Sequence, residues 1–479
     1  LDGFPALIAW VVLLFVVVAL GGRLAQRIVL IGVGLATAAA VAGGLALLQT
    51  ADSMEVVLQT TVGIEDDLLV EPQSAQSRLV GALLDIDEAD SSLNRWWARP
   101  ARVLPVLAPH FRLADTVIDS SEEIVTAALP LAATHIDELV AVGRLDLVRL
   151  DALSSDATIV ADLAVDAVAD LADLDTTWLV GPARDELADA VVEMGDHADQ
   201  LDRIARLSRG VLPHLGPDGP VSWFVLVCTP AEARATCGFP GNWVRFDVID
   251  GVAIVVDSGR MAVLEDEAEA AGLTLSGPPG FIAEYGRFDP VPTLRNITMT
   301  PDFPSSAEAL AVALEQLGHG RPDVVAAVNT DGLEAILRIT GPVDAGPMGQ
   351  LNVQSVRRRL DIEQYSRFET QAERREALED ATRAVMDRIT TLGSLDPAKV
   401  RRLSEPAERG GLLAYVPGDP DNVFVEMGVA GELPEEPIAG VTAQNASANK
   451  LDAFRSVAMT LTPSTEETEG CAVVDITLG

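Results

Sequence analysis

Two long uncharged runs open the chain. FPALIAWVVLLFVVVALGG (4–22) and IVLIGVGLATAAAVAGGLALL (28–48) contain no Asp, Glu, Lys or Arg. Each is long enough to cross a hydrocarbon core of about 30 Å as a helix. Between them lies RLAQR, whose Arg23 and Arg27 predict a cytoplasmic loop by the positive-inside rule. A cleaved signal peptide would carry a basic stretch before its apolar run; none precedes this one, and a second full-length run follows. Residues 1–50 are therefore expected to form two transmembrane helices, with the chain embedded through residues 4–48 and everything after about residue 50 outside the cytoplasm.

From 51 to 211 the apolar positions recur at helical spacing. In DATIVADLAVDAVADLADLD, Leu163, Ala167, Leu171 and Leu174 share one face and aspartates occupy the other, the pattern of an amphipathic helix with a solvated acidic side. The stretch RWWARPARVLPVLAPHF (95–111) interrupts this periodicity with Pro100, Pro105 and Pro109, which cannot all lie inside one helix. It reads as a connector, with Trp96, Trp97 and Phe111 either packed on neighbouring helices or, for the tryptophans, placed at a lipid interface. The segment 51–211 is expected to be a helical stalk or bundle standing on the membrane.

The period changes after the Pro/Gly-rich VLPHLGPDGPVSW (211–223). Short β-branched runs follow at 223–228, 243–250 and 251–259, the last two joined by Asp250-Gly251, a hairpin signal. Helical patterns at 265–272, 305–318 and 330–340 alternate with a strand at 324–329. RRRLDIEQYSRFETQAERREALEDATRAVMDRIT (357–390) reads as a long charged helix carrying most of the clustered arginines, and 412–479 returns to strands and turns. Such alternation predicts an α/β domain, an α-β-α layered arrangement on a mixed sheet, over 212–479. The chain closes on a strand-like run, CAVVDITLG, that a longer natural chain would extend.

Charge narrows the partners. The 479 residues carry 72 acidic and 34 basic side chains, a formal net charge of −38. This argues against nucleic acid or an anionic membrane surface, both of which demand clustered Lys and Arg. The Ala/Val/Leu-rich, aromatic-poor composition fits a high-GC, actinobacterial type of genome. Of three cysteines, Cys228 and Cys237 lie close together in CTPAEARATC while Cys471 stands apart. Outside the cytoplasm a Cys228–Cys237 disulfide is permitted; two buried free thiols are the alternative. The five histidines show no metal-ligand spacing, and no Walker or dinucleotide fingerprint is present.

Five segments in order, WARPARVLPVLAPHF, FVLVCTPAEARATCGFPG, LRNITMTPDFPSSAEAL, DVVAAVNTDGLEAILRITGPV and ASANKLDAF, resemble those of bacterial membrane proteins grouped as domain of unknown function 4012. More distantly, the α/β part is similar to the LytR–CpsA–Psr phosphotransferases, which attach polyprenyl-pyrophosphate-linked glycopolymers to the cell wall from a membrane-anchored extracytoplasmic domain. That resemblance implies a plasma-membrane protein of the bacterial cell envelope with its main domain outside. It matches Arg234 to a second-strand arginine and Asp302 to the aspartate of a Pro-Arg-Asp motif. The pattern departs at the positions that would hold Mg2+: Pro301 precedes Asp302 where an arginine is expected, Cys228-Thr229-Pro230 replaces an acidic residue, and Thr236 replaces an aspartate. Mg2+ needs oxygen ligands, usually carboxylates, so a metal here would rest on Glu232 or Asp302.

The resemblance implies pyrophosphate binding by Arg234 and Arg295, whose guanidinium groups suit phosphate oxygens, with Asn296 and Thr298 as neutral donors and Asp302 or Glu232 in a catalytic role. Simpler roles stand beside these. Asp302 suits a helix cap before Ser305, Arg295 suits a pair with any carboxylate, and Glu232 suits an ion pair with Arg234. Lys450 matches the family's Asn-Lys and either faces the same cleft or is an ordinary surface lysine. Two functions follow. One is an enzyme or carrier-binding protein for a polyprenyl-(pyro)phosphate-linked glycopolymer, with an apolar groove and arginines at its mouth. The other is a non-catalytic envelope protein that binds a protein partner or polysaccharide, with a closed core and internally paired arginines.

Overall fold

A computed structural model describes residues 37–47, 72–133, 139–141, 143–290, 293–391, 410–434, 440–445, 449–463 and 472–478, with a few single positions beside them. The first apolar run and RLAQR lie outside the described residues, as do the first part of the second run and residues 51–71. Among the described residues no helix is long and apolar enough to cross a membrane. The described chain is a helical region followed by a mixed α/β domain. It divides into two compact units, one of residues up to His135 with Asp151–Arg209, the other of Ile136–Leu150 with Gly210 onward.

In the helical unit, α1 (Pro72–Leu93) and α2 (Ala108–Ala133) pack together. Leu79, Ala82, Ile86, Ala89 and Leu93 of α1 recur every three or four residues and bury against Phe111, Ile118 and Val125 of α2, the stripe that helix geometry demands. The proline-rich connector forms a 3-10 turn at Arg99–Val103, and Pro109 falls in the first turn of α2, where its missing N–H is harmless. Trp97 and Phe111 pack on this core while Trp96 is 81% exposed. In α3 (Leu147–Ala172) the buried face holds Val160, Ala164, Ala167 and Leu171, so Leu163 and Leu174 flank the stripe. Gly181–Val211 forms α4.

The α/β unit is built on a seven-stranded mixed sheet, ordered β1-β2-β5-β4-β3-β6-β9. β1 (Val140–Ala141) and β2 (Arg144–Leu145) come from a stretch that the sequence periodicity left within the helical region. The central strands are β3 (Val221–Thr229), β4 (Phe239–Ile249), β5 (Val252–Arg260), β6 (Val324–Val328) and β9 (Leu412–Tyr415). β3 pairs parallel with β6, and all other pairs are antiparallel. Asp250 and Gly251, with φ of 50° and 74°, make the two-residue turn between β4 and β5 that the Asp-Gly signal predicts.

Alternation along the strands sorts two faces. Phe224 and Trp243 stack at 5.1 Å on one face, which α7 (Phe303–Gln316) covers with Leu314. Trp223, Val225, Val227, Val244 and Phe246 point to the other face, over which lie α8 (Thr330–Thr340) and α10 (Gln371–Thr390). Preceding α7 are α5 (Met261–Ala271), α6 (Phe281–Tyr285) and a 3-10 turn at Leu294–Met299. The segment 357–390 is not one helix. It starts as a π-helix (Arg358–Glu363), continues as α9 (Gln364–Arg367) and breaks at Phe368. α10 then begins afresh from Thr370, whose side chain and that of Glu373 form a capping box. Small pairs β7 (Val343–Asp344) with β8 (Gln350–Leu351), and β10 (Val457–Pro463) with β11 (Ala472–Leu478), lie apart from the main sheet, and α11 (Val423–Glu426) follows β9.

Candidate functional site

The space between the sheet and α10 does not close. A cavity of about 940 Å³ runs between Val225, Val227 and Val244 on the sheet and Leu378, Val385 and Ile389 on α10. This lies toward the top of the roughly 300–1,000 Å³ range of ligand pockets. A sealed empty void of that size would cost on the order of 20 kcal/mol by the usual cavity scaling, more than the roughly 5–15 kcal/mol net stability of a domain. The space therefore suits filling by a ligand or water.

Polar groups gather around the carboxyl ends of β3 and β6, where two parallel strands stop and their loops diverge. Such an edge is a favoured place for ligands in α/β sheets. The loop leaving β3 carries Glu232 and Arg234 and is closed by the Cys228–Cys237 disulfide, with Cα atoms 5.8 Å apart. The disulfide expected from the spacing is thus present. It ties the end of β3 to the start of β4, which holds the loop's charged residues in place.

Three cations converge on the ring of Phe239. The Arg234 Cζ lies 5.5 Å, the Arg295 Cζ 5.4 Å and the Lys450 Nζ 4.1 Å from its centroid, all within cation–π range. Glu232, 3% exposed, holds two of them. Its Oε1 accepts from Arg234 at 2.8 Å and its Oε2 pairs with Lys450. Arg234 donates further to Asn296 Oδ1 (3.1 Å) and the Asn445 carbonyl (3.1 Å). Arg295 pairs with Glu265 of α5 at 2.5 Å. Burial pushes the Arg234 and Lys450 pKa values below their ordinary ranges, and the Glu232 carboxylate partly offsets that. The Nε–H groups of both Arg234 and Arg295 are buried without an acceptor, a costly condition for a donor. Arg295, Lys450, Phe239, Arg374 and Arg375 all line the cavity. Among the described residues neither Arg374 nor Arg375 has a carboxylate partner; Arg374 lies over the Tyr365 ring at 4.9 Å.

A further carboxyl stands beside this cluster. Asp361, on the π-helix and 4% exposed, lines the cavity and accepts from Thr229 Oγ1 (2.9 Å) and Thr330 Oγ1 (2.7 Å). It thereby joins the ends of β3 and β6. Desolvation raises its pKa, against which the two threonine hydrogen bonds and Arg357 act. Tyr365 is pushed up to about 12 by burial.

Of the remaining expected site residues, Asp302 and Thr298 have structural partners and Asn296 stays beside Arg234. Asp302 is the N-cap of α7: one carboxylate oxygen accepts from the Ser305 N–H (3.0 Å) and hydroxyl, the other from the Leu433 N–H (3.1 Å). Thr298 is fully buried and donates to the Gly238 carbonyl at 2.9 Å, bracing the disulfide loop. Asn296 acts as an acceptor toward Arg234 and donates to the Phe288 carbonyl. LRNITM forms the 3-10 turn Leu294–Met299, which places Arg295 beside Arg234 on the Phe239 ring.

The residues do not fit Mg2+. Both Glu232 oxygens face cations and both Asp302 oxygens face N–H donors, while Thr236 donates to the Thr300 carbonyl. Among the described residues no group of three or more His, Cys, Asp or Glu is placed to hold a metal ion.

Residues 218–365 match the family described as "Protein of unknown function (DUF4012)" and form a domain of it. The match spans β3 through Tyr365 and so includes Glu232, Arg234, Arg295 and Asp361; Arg374 and Lys450 lie beyond it. No curated protein and no solved structure matches the chain.

Proposed function

We propose that the α/β unit binds a polyprenyl-(pyro)phosphate-linked glycopolymer at the outer face of a bacterial plasma membrane. In this reading the isoprenoid chain occupies the cavity between the sheet and α10, and the phosphoryl groups meet Arg295, Lys450 and Arg374 at its polar end. The observation that carries it is the adjacency of a large apolar cavity to converging cations in a chain whose net charge is −38. The unmet Nε–H groups of Arg234 and Arg295 are donors that phosphate oxygens would satisfy. Anchoring through residues 4–48 and the resemblance to the LytR–CpsA–Psr phosphotransferases belong to the same reading.

Binding without turnover is the form the side chains favour. The carboxylates proposed for catalysis are engaged, Glu232 by Arg234 and Lys450 and Asp302 by the cap of α7. A closed structural or interaction module is the second reading, favoured by the internal pairs Arg234–Glu232 and Arg295–Glu265; the cavity opposes it. Native mass spectrometry of the detergent-purified protein from its host separates them. A polyprenyl-phosphate or -pyrophosphate adduct, depleted at least tenfold in Arg295→Ala and Lys450→Met, is the expected result. A folded wild-type protein with no lipid adduct, before or after incubation with a polyprenyl pyrophosphate, overturns carrier binding.

A further inference from the structure

Among the described residues that line the cavity, Asp361 is the one carboxyl, and no cation pairs with it directly. Its oxygens meet only the hydroxyls of Thr229 and Thr330, while Arg357 of the same segment is drawn away to Asp331 at the start of α8. Thr229 is the strand partner of Phe239, the ring on which Arg234, Arg295 and Lys450 converge. The carboxyl therefore sits one hydrogen-bonded residue from the place where an anionic head group would lie. The charged and titratable groups facing it are Arg357, just before the π-helix, and Tyr365 on α9; Glu232 on the disulfide loop and Arg374 on α10 lie next, against Tyr365, and Lys450, near the 3-10 turn at Leu451–Phe454, follows against Glu232 and Arg374. Asp361 also lies in a π-helical segment, a distortion that recurs at functional sites, which turns this residue of a charged stretch inward.

An ionised carboxylate in a desolvated pocket opposes a phosphoryl group brought close to it, because like charges in low dielectric interact strongly. The same carboxyl, once protonated, becomes a donor, and threonine hydroxyls can turn to accept from it. Resting on the reading above, we propose that Asp361 takes up a proton when the anionic head group binds, so that the site engages a phosphoryl ligand with a net gain of one proton and holds it more tightly as the pH falls. The sign follows from linkage. Ligand binding raises the Asp361 pKa above its value in the free protein. Between those two values the dissociation constant rises by up to tenfold for each unit increase in pH, and outside them it is flat.

Isothermal titration calorimetry of the full chain in detergent tests this. The probe is a synthetic polyprenyl-pyrophosphoryl sugar, which as a diester lacks the monoester ionisation near pH 6 and keeps its charge between about pH 5 and 9. Titrations at several pH values, each in two buffers of different ionisation enthalpy, give affinity and protons exchanged. The wild type is expected to take up close to one proton within a window where affinity weakens approaching tenfold per pH unit. Asp361→Asn is expected to bind with a flat profile and no uptake there. Thr330→Val keeps the carboxyl but removes a hydrogen bond to its charged form, and should move the window to higher pH; it serves as the test if the Asn variant does not fold. Wild-type binding without proton uptake, or uptake that persists in Asp361→Asn, overturns the proposal while leaving carrier binding intact. No binding by a folded wild type at any pH overturns both.

Discussion

Glu232 carries the largest electrostatic load of any single residue in the cluster. It is almost fully buried and its two oxygens serve two cations, Arg234 and Lys450. Removing one member of a buried pair leaves an uncompensated charge, at a cost of about 3–5 kcal/mol. Glu232→Gln should therefore lower unfolding stability in urea by that order, and adding Lys450→Met should restore part of the loss, since it removes one of the stranded charges. A loss below about 1 kcal/mol would mean that water reaches the pair and that the cluster is less desolvated than its burial implies. The sequence spacing Glu-x-Arg made the first contact legible, because alternate residues of an extended segment point the same way. The second contact spans 218 residues, and nothing local to ASANKLDAF marks Lys450 as half-buried against Glu232.

Among the secondary-structure elements, legibility followed how far local chemistry decided the outcome. Helix α8 begins and ends where the sequence places it, at Thr330 and Thr340, because Asn329 caps its first turn and Gly341, with φ of 83°, stops it. The π-helix and the break before α10 were hidden, because RRRLDIEQYSRFETQAERRE has an almost unbroken helical propensity. The capping box at Thr370 and Glu373 and the tertiary demand for Asp361 at the strand ends overrode it. Asp361 resembled one more solvated acid in a charged run, whereas its burial is a property of the assembled sheet. Asp302 shows the converse case, in which the local role predicted from Pro-Asp-Phe-Pro-Ser-Ser is the one the fold uses. Asp302→Ala should cost about 1–2 kcal/mol of stability, as N-cap losses do, and leave the affinity for a polyprenyl-pyrophosphoryl sugar within twofold of wild type. An affinity loss of tenfold or more in a folded Asp302→Ala protein would return this residue to the binding site.

At the scale of the whole α/β unit, the architecture poses one energetic question: why natural packing, which fills interiors to crystal-like density, leaves about 940 Å³ between the sheet and α10. Between the sheet and α10 the walls are mostly apolar, and Ala381 and Val385 of α10 present small side chains toward the space. Larger residues at these positions would pack the domain more tightly, so the small ones are costly unless the space is used. Ala381→Phe puts an aromatic ring where an isoprenoid chain would lie. In a close-packed core such an insertion costs roughly 1–3 kcal/mol through strain; here the ring enters open volume and gains burial instead. The ligand-free variant should therefore unfold at a temperature equal to or above that of the wild type, while its polyprenyl adduct in native mass spectrometry falls at least tenfold. A destabilised Ala381→Phe protein would mean that the cavity is filled by motions of α10 and its neighbours. An adduct that persists in a stable variant would place the isoprenoid chain elsewhere and leave only the head-group cluster to the site.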